Sequence, residues 1–401
     1  MLAILSHAWN DDLTGGSFKV ATEFSRRVAA TGQEVHFLCG VEAGVVGGPE
    51  KSDGVHVWRY PYPRCSGPRA LLLHVKRMGE LYRHVASRHA FTVVNGHSPL
   101  QYYAVARQRQ RFPDARFSYT VHSPFQDELR SAGRNGWSIG KIASFIDGRC
   151  LALSDVVTTD SQYTHDRLQE MYGASATNHV QVAPIWVDVQ RFREVADKNL
   201  VRVRLGPPWE PNVPTLLSVR RLERRMGLDR LIDAVYQVVE EGFELRLLIG
   251  GSGSMAEALR LQIDALRLSD RVHLLGRVSE AQLADTFAAA DCFVLPSTSL
   301  ECFGLITLES YACGVPVIAT PVAAIPEIVR QHSTDWLTAD TSVAALAAKL
   351  RQWLRGELTH DPWRLRAIAE SYRLELRADH LAQEIGAFAP ETSHVSAAID
   401  Q

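Results

Sequence analysis

Short apolar runs separated by amphipathic stretches set the rhythm of this chain. In the first half the runs are LAILSH, EVHFLC, FTVVNG, FSYTVH, DVVTTD and HVQVAP; in the second they are TLLSV, ELRLLIG, RVHLLG, CFVLP and VPVIAT. Their length and Val/Leu content predict buried strands. Most are followed by residues with helical spacing, such as SFKVATEFSRRVAATG, which ends on a glycine where a helix C-cap belongs. Strands alternating with helices predict parallel sheets covered on both faces, an α/β class with two doubly wound domains. The polar, then proline-rich DVQRFREVADKNLVRVRLGPPWEPNVP breaks the rhythm and predicts a linker near residues 193–210. The expected organisation is therefore a first Rossmann-like domain over 1–195 and a second over 196–365. PWRLRAIAESYRLELRADHLAQEIGAF reads as one long helix pattern without a strand, giving a C-terminal helix over 366–390 and a frayed tail over 391–401.

Composition narrows this picture only a little. A length of 401 residues with 46% hydrophobic and 22% charged side chains fits a globular chain of two or three domains. MLAIL lacks a basic lead-in and is not expected to be a signal peptide, and no apolar run approaches the roughly 18 residues of a membrane span. Six scattered cysteines without a CxxC pair are expected to be reduced thiols, hence a cytoplasmic setting. Charge changes more. Residues 1–195 carry 22 Lys+Arg against 18 Asp+Glu, a balance of +4, which leaves −6 for the rest. The excess is concentrated in RCSGPRALLLHVKRMGELYRHVASRH, residues 64–89, with six basic residues and one Glu. Such a stretch suits either an anionic membrane surface or a solvated helix face with snorkelling arginines. The acidic second half argues against nucleic acid as a partner.

The chemistry concentrates in PSTSLECFGLITLES, where Glu301 precedes a helix start near Phe303-Gly304 and Glu309 lies inside that helix. A helix start offers unpaired N–H groups and a positive dipole end, and Gly304 lets a ligand approach the backbone. Glutamates accept well from paired hydroxyls. Alone, each glutamate reads as ordinary dipole compensation or a solvent-facing charge.

Together, spaced as ECFGLITLE, they resemble the Glu-x7-Glu element of the retaining GT-B glycosyltransferases of glycosyltransferase family 4. The resemblance runs through PSTSLECFGLITLESYACGVPVIATPVAAIPEIV and more loosely over nearly the whole chain. It implies a GT-B fold, two Rossmann-like domains facing an inter-domain cleft, and transfer of a sugar from an NDP-sugar to an acceptor hydroxyl. It further implies that Glu301 and the backbone of Phe303, Gly304 and Leu305 hold the sugar and diphosphate, and that Glu309 takes the ribose. In LLSVRRLERRMGLDRLIDAV, Arg221 matches the arginine of the family's Arg-Leu-x-x-x-Lys-Gly, but Met226 stands at the lysine; Arg225 is the candidate substitute, or else a surface charge.

Gly251-Ser-Gly253 after a strand matches part of a dinucleotide fingerprint, yet Asp270 precedes the next strand and is misplaced for an NAD ribose. By resemblance this loop borders the nucleotide, and GRVS, with Arg277 and Val278, contacts its base. Gly15-Gly16, between the first strand and helix, suit an anion or a plain tight turn. His122 at the end of one strand is by resemblance the histidine near the donor sugar's anomeric carbon; His97, at another strand end, and Lys19 are acceptor-side candidates. Ile185-Trp186 stand where the family usually has Asn-Gly, Ala323-Ala324 where glycines are common, and Cys302 where it often has glycine. No Asp-x-Asp occurs, so no metal or other cofactor is expected, with arginines and helix dipoles stabilising the leaving diphosphate. A GT-B sugar-nucleotide epimerase, a non-catalytic NDP-sugar-binding protein and, less favoured, an NAD oxidoreductase are the rival readings.

Overall fold

The computed structural model describes residues 1–12, 16–42, 47–65, 67–131, 133 and 137–388. The chain forms two compact units, Met1–Ile185 with Glu375–Gln401, and Trp186–Leu374. The first holds strands β1 (Leu2–Leu5), β2 (Val35–Val41), β3 (Gly47–Ser52), β4 (Val55–Pro61), β5 (Val93–Gly96), β6 (Arg116–Val121), β7 (Val156–Thr159) and β8 (Val180–Val182) in the order β3-β4-β2-β1-β5-β6-β7-β8. All pairs are parallel except β3–β4. The second unit holds β9 (Thr215–Val219), β10 (Arg246–Gly250), β11 (Val272–Gly276), β12 (Cys292–Leu295) and β13 (Val317–Ala319) in the all-parallel order β11-β10-β9-β12-β13.

Every strand anticipated from the apolar runs is present. The hairpin β3–β4 is the addition. Its turn is Asp53-Gly54, both at positive φ (48° and 84°), a two-residue turn whose twist matches the flanking strands. Central strands β1, β2, β5, β7 and β12 are buried throughout, as sheets covered on both faces require.

The boundaries differ from the sequence reading. Residues taken for a linker include the helix Lys198–Leu205, whose Arg202 is 2% exposed. Its guanidinium donates to the carbonyls of Ala289 (2.8 Å), Val213 (3.1 Å) and Glu210 (3.3 Å) and to Asp291 (2.6 Å). A buried cation satisfied on every side ties this segment into the second unit. The long terminal helix pattern is two helices, Pro362–Ser371 and Leu374–Glu384, broken where Val187 N–H donates to Tyr372 O (2.8 Å) and Leu374 N–H to Val187 O (3.1 Å). The last helix is anchored in the first unit by Arg27, bidentate to Asp379 at 2.8 and 2.5 Å, and Gln33 donates to Ala387 O (2.9 Å) just beyond it. No disulfide joins the six cysteines, and Cys39 and Cys292, in the apolar strands β2 and β12, are buried. Among the described residues no helix is long and apolar enough to cross a membrane.

Packing holds several imidazoles neutral. Burial, with a smaller push from His74, lowers His7 to about 4; burial and His360 lower His332 to about 4; burial lowers His36 and, with His122 adding to it, His97. His36 uses both ring nitrogens while neutral, Nδ1 accepting from Trp58 Nε1 (3.1 Å) and Nε2 facing Glu34 Oε1 (2.8 Å). A folded-state value below the unfolded one means that the unfolded chain binds more protons, so stability falls as pH drops below about 6.5. Asp147 opposes this: burial pushes it up to about 8, so its contribution fades as pH rises toward 8. Four histidines outweigh one carboxyl. Urea unfolding should therefore show lower stability at pH 5.5 than at pH 7, with a slope of up to about 1.4 kcal/mol per pH unit per histidine; a flat profile would contradict the neutral assignment.

Candidate functional site

The loops at the carboxyl ends of β9, β10 and β12 meet in the second unit, and their sequence follows from lack of room. Gly227, at φ 69°, ends the 3-10 turn Arg224–Met226; a Cβ there would lie 2.0 Å from Pro296 O, at the end of β12. A Cβ on Gly251 (φ 139°) would lie 1.8 Å from Arg220 O, and one on Gly253 would lie 2.4 Å from Leu222 O. The same contacts carry hydrogen bonds: Arg220 N to Gly250 O and Leu222 N to Ser252 O, both 2.9 Å, and Met255 N to Leu222 O, 2.8 Å. The Gly251-Ser-Gly253 pattern is thereby accounted for as a backbone zipper onto residues 220–222.

That zipper aims Arg220 inward. Its side chain is 6% exposed and donates to Glu301 Oε2 (2.6 Å) and Ser297 Oγ (2.8 Å), while Ser297 Oγ donates to the same carboxylate oxygen (3.2 Å). Burial pulls this guanidinium below the usual arginine value, with Glu301 opposing it. Arg225 is half-buried, donates to Leu300 O (2.5 Å), and is likewise lowered by burial. Its own carbonyl accepts from Thr298 N (2.8 Å). Two arginines thus grip the 297–301 loop. Arg221 points to solvent, and its guanidinium makes no hydrogen bond or ion pair to a described residue. Met226, at the lysine position, is 4% exposed.

Glu301 is partly exposed and Gly304, at φ 84° and ψ 44°, caps the helix Leu305–Ala312. Phe303 is buried and packs edge-on against Tyr372 at 5.9 Å; Leu305 is half-buried. Glu309 is 5% exposed, so the solvent-facing reading of this glutamate does not hold. Ala323 takes φ 52°, the left-handed conformation for which glycine is suited, and Ala324 N donates to Glu301 O (3.0 Å). Arg277 is exposed, Val278 half-buried beside Gly250. Ile185 and Trp186 are both buried; the first ends one stretch of the first unit and the second opens the second unit.

In the first unit, His97 follows β5 and His122 follows β6. Their rings lie 2.9 Å apart, Nδ1 of His97 to Nε2 of His122, and His122 Nδ1 lies 2.8 Å from Asp160 Oδ2, just beyond β7. His97 is 3% exposed. Gly16 opens the helix Gly16–Ala30, exposed, with Lys19 half-buried in it; Gly15 lies outside the described residues. The sequence reading missed Arg220, Ser297 and Asp160. Each sits just beyond the carboxyl end of a strand, the position where open α/β sheets bind ligands, and that rule would have singled them out.

Among the described residues one group of side chains could hold a metal ion, Glu34, His36 and His89. Ligation through His36 Nε2 would put that ring's proton on Nδ1, facing the Trp58 N–H donor.

Removing one partner from a buried ion pair leaves the other charge stranded. Arg220→Met should therefore cost about 3 kcal/mol in urea unfolding, whereas Arg221→Met should stay within about 0.5 kcal/mol. Equal costs would show that the two arginines are not distinguished by burial.

Comparison with known proteins agrees with this architecture. Residues 14–191 match the family model "Glycosyltransferase Family 4" and residues 206–371 the model "Glycosyl transferases group 1". A GDP-mannose-dependent monoacylated α-(1-6)-phosphatidylinositol monomannoside mannosyltransferase of Corynebacterium glutamicum is 34% identical over 56% of this chain and 58% of its own length. A D-inositol 3-phosphate glycosyltransferase of Segniliparus rotundus is 30% identical over 59% of this chain and 56% of its own. The matches to these two relatives thus span somewhat over half of their length. The GDP-mannose-dependent α-(1-6)-phosphatidylinositol monomannoside mannosyltransferase of Mycobacterium tuberculosis is 30% identical over 55% of this chain and 67% of its own. Among solved structures, sucrose-phosphate synthase from Thermosynechococcus elongatus superposes with a TM-score of 0.78 at 21% identity, covering 95% of this chain and 97% of that one. Anabaena HepE in complex with UDP and glucose gives 0.73 at 17%, covering 96% and 99%. With two α/β units of parallel strands and these matches over both, the chain belongs to glycosyltransferase family 4 and has the GT-B fold.

Proposed function

We propose that this chain transfers a glycosyl group from an NDP-sugar to an acceptor hydroxyl in glycolipid or other glycoconjugate synthesis, with retained anomeric configuration and without a metal ion. The observation that carries the reading is the Glu301 carboxylate, held by Arg220 and Ser297 next to a Gly304-capped helix start, with Arg221 turned to solvent beside it. Glu301, with one oxygen committed to Arg220, offers the other to sugar hydroxyls. The growing charge on the departing diphosphate is met by Arg221, by Arg225 and by the amides at 303–305. Glu309 takes the ribose, Arg277 and Val278 the base, and His122 the sugar. The departing phosphate oxygen accepts the acceptor's proton, so the step balances without a separate base: the glycosidic C–O bond to phosphate breaks, the new C–O bond forms on the same face, and the hydroxyl proton leaves on the diphosphate.

The donor named in the mannosyltransferase relatives makes GDP-mannose the first compound to try. A donor at a hundred times its Kd should add about 2.7 kcal/mol to stability, read as a rise in Tm across a panel of GDP-, UDP- and ADP-sugars. With the donor so identified, Glu301→Gln should lower kcat about 100-fold, measured at a temperature where circular dichroism shows the variant still folded, since Arg220 loses its ion-pair partner and Tm falls. Near-normal transfer by that variant would sink the assignment.

For the acceptor side, the helix Pro68–Ala86 presents Arg69, Leu72, Lys76, Glu80 and Arg83 along one exposed stripe, Leu72 being 71% exposed and Lys76 4.0 Å from Glu80, so that the basic residues outnumber the acidic one. We propose this stripe as the contact with an anionic membrane face, bringing the enzyme to a lipid-borne acceptor. The double variant Arg69→Glu, Lys76→Glu should then lose most of its co-sedimentation with vesicles containing phosphatidylglycerol; unchanged co-sedimentation would remove the stripe from the account.

A further inference from the structure

We infer that Asp160 is a positioning residue of the transfer reaction, fixing the tautomer of His122 so that its Nε2 presents a lone pair to a ligand hydroxyl. The inference rests on the reading of His122 as a sugar contact and adds the group that makes it one.

An ionised carboxylate only accepts, so the 2.8 Å contact with Asp160 puts a proton on His122 Nδ1. Neutral His122 then has its lone pair on Nε2. That lone pair accepts from His97 Nδ1 at 2.9 Å, which places the proton of neutral His97 on Nδ1. Burial and the neighbouring imidazole hold His97 well below the ordinary histidine range, consistent with a neutral ring. Three residues on three adjoining strand ends thus form one directed chain, Asp160 to His122 to His97, across the β5-β6-β7 register.

The chain is built but not closed. His97 Nε2 and Asp160 Oδ1 are buried without a hydrogen-bond partner among the described residues. His97 is 3% exposed, Asp160 3% and the His122 side chain 11%. Of the three, His122 has the most reachable edge. A ligand hydroxyl can replace His97 as the donor to His122 Nε2, and the displaced His97 N–H then needs a ligand oxygen as its acceptor. Asp160 fixes the imidazole in the accepting tautomer before the ligand arrives, and an imidazole free to choose its tautomer would spend part of its time offering an N–H instead.

The test uses the full chain and has two arms. In the first, long-range ¹⁵N–¹H correlation spectra of the wild type, assigned with His97→Gln and His122→Gln, should show His122 protonated on Nδ1 and not on Nε2 at pH 7. A proton on Nε2 overturns the inference, whatever the variants do. In the second, kcat and KM are measured for Asp160→Asn with the sugar nucleotide that the thermal-shift panel identifies, GDP-mannose being tried first. The expected result is a fall in kcat of tenfold or more, with donor KM within about threefold of wild type and a new Nε2–H signal for His122. Asp160→Asn with wild-type kcat overturns the positioning role. A wild type that neither binds nor turns over any sugar nucleotide of the panel overturns the proposed function itself, and the inference with it. The two failures are thus told apart by the wild type.

Discussion

The turn after β9 has no room for side chains where it crosses its neighbours, and the second unit's site depends on that constraint. Gly227 against Pro296 O, Gly251 against Arg220 O and Gly253 against Leu222 O bring three backbone segments together more closely than any Cβ permits. What cannot point outward from such a crossing points in. Arg220 is turned into the protein by it, and among the described residues its guanidinium is the ion-pair partner of Glu301. A carboxylate half-sunk beside a helix start would otherwise be repelled by the diphosphate it is proposed to face. Paired with a buried cation, it becomes a directed acceptor with one oxygen in reserve.

The same logic separates the neighbouring arginines. Arg220 is structural in the strict sense that its charge is spent inside the protein, and Arg225 spends part of its own on Leu300 O. Arg221 alone of the three keeps its charge for something outside. Met226, at the position where the family resemblance implies a lysine, is packed away, and Arg225 is the proposed second cation. The first unit shows a parallel arrangement with different chemistry: there a buried carboxylate, Asp160, spends one oxygen orienting an imidazole.

Much of the fold was legible because it depends on periodicity. All eleven apolar runs are strands, and the alternation with helices gives parallel sheets in both units. The hairpin β3–β4 was missed although Asp53-Gly54 is a strong turn signal, because GGPEKS itself is polar and glycine-rich. The linker was misread because a polar composition looks alike whether its arginine is solvated or, like Arg202, sunk among four acceptors. The Glu-x7-Glu element could be located from sequence, since its spacing is local. Arg220, Ser297 and Asp160 could not be paired with their partners from sequence alone: 81 residues separate Arg220 from Glu301 and 38 separate His122 from Asp160. Of two adjacent arginines, only the close approach of Gly251 and Gly253 tells which one turns inward.

The proposed function requires a sugar nucleotide to bind at the carboxyl ends of β9 and β12. Hydrogen–deuterium exchange of the full chain, with and without saturating GDP-mannose or whichever sugar nucleotide of the panel stabilises it, tests this most directly. Added protection is expected in peptides covering 220–227 and 297–309, with little change around β2–β4. Protection confined to other segments, with 220–227 and 297–309 unaffected, would contradict it.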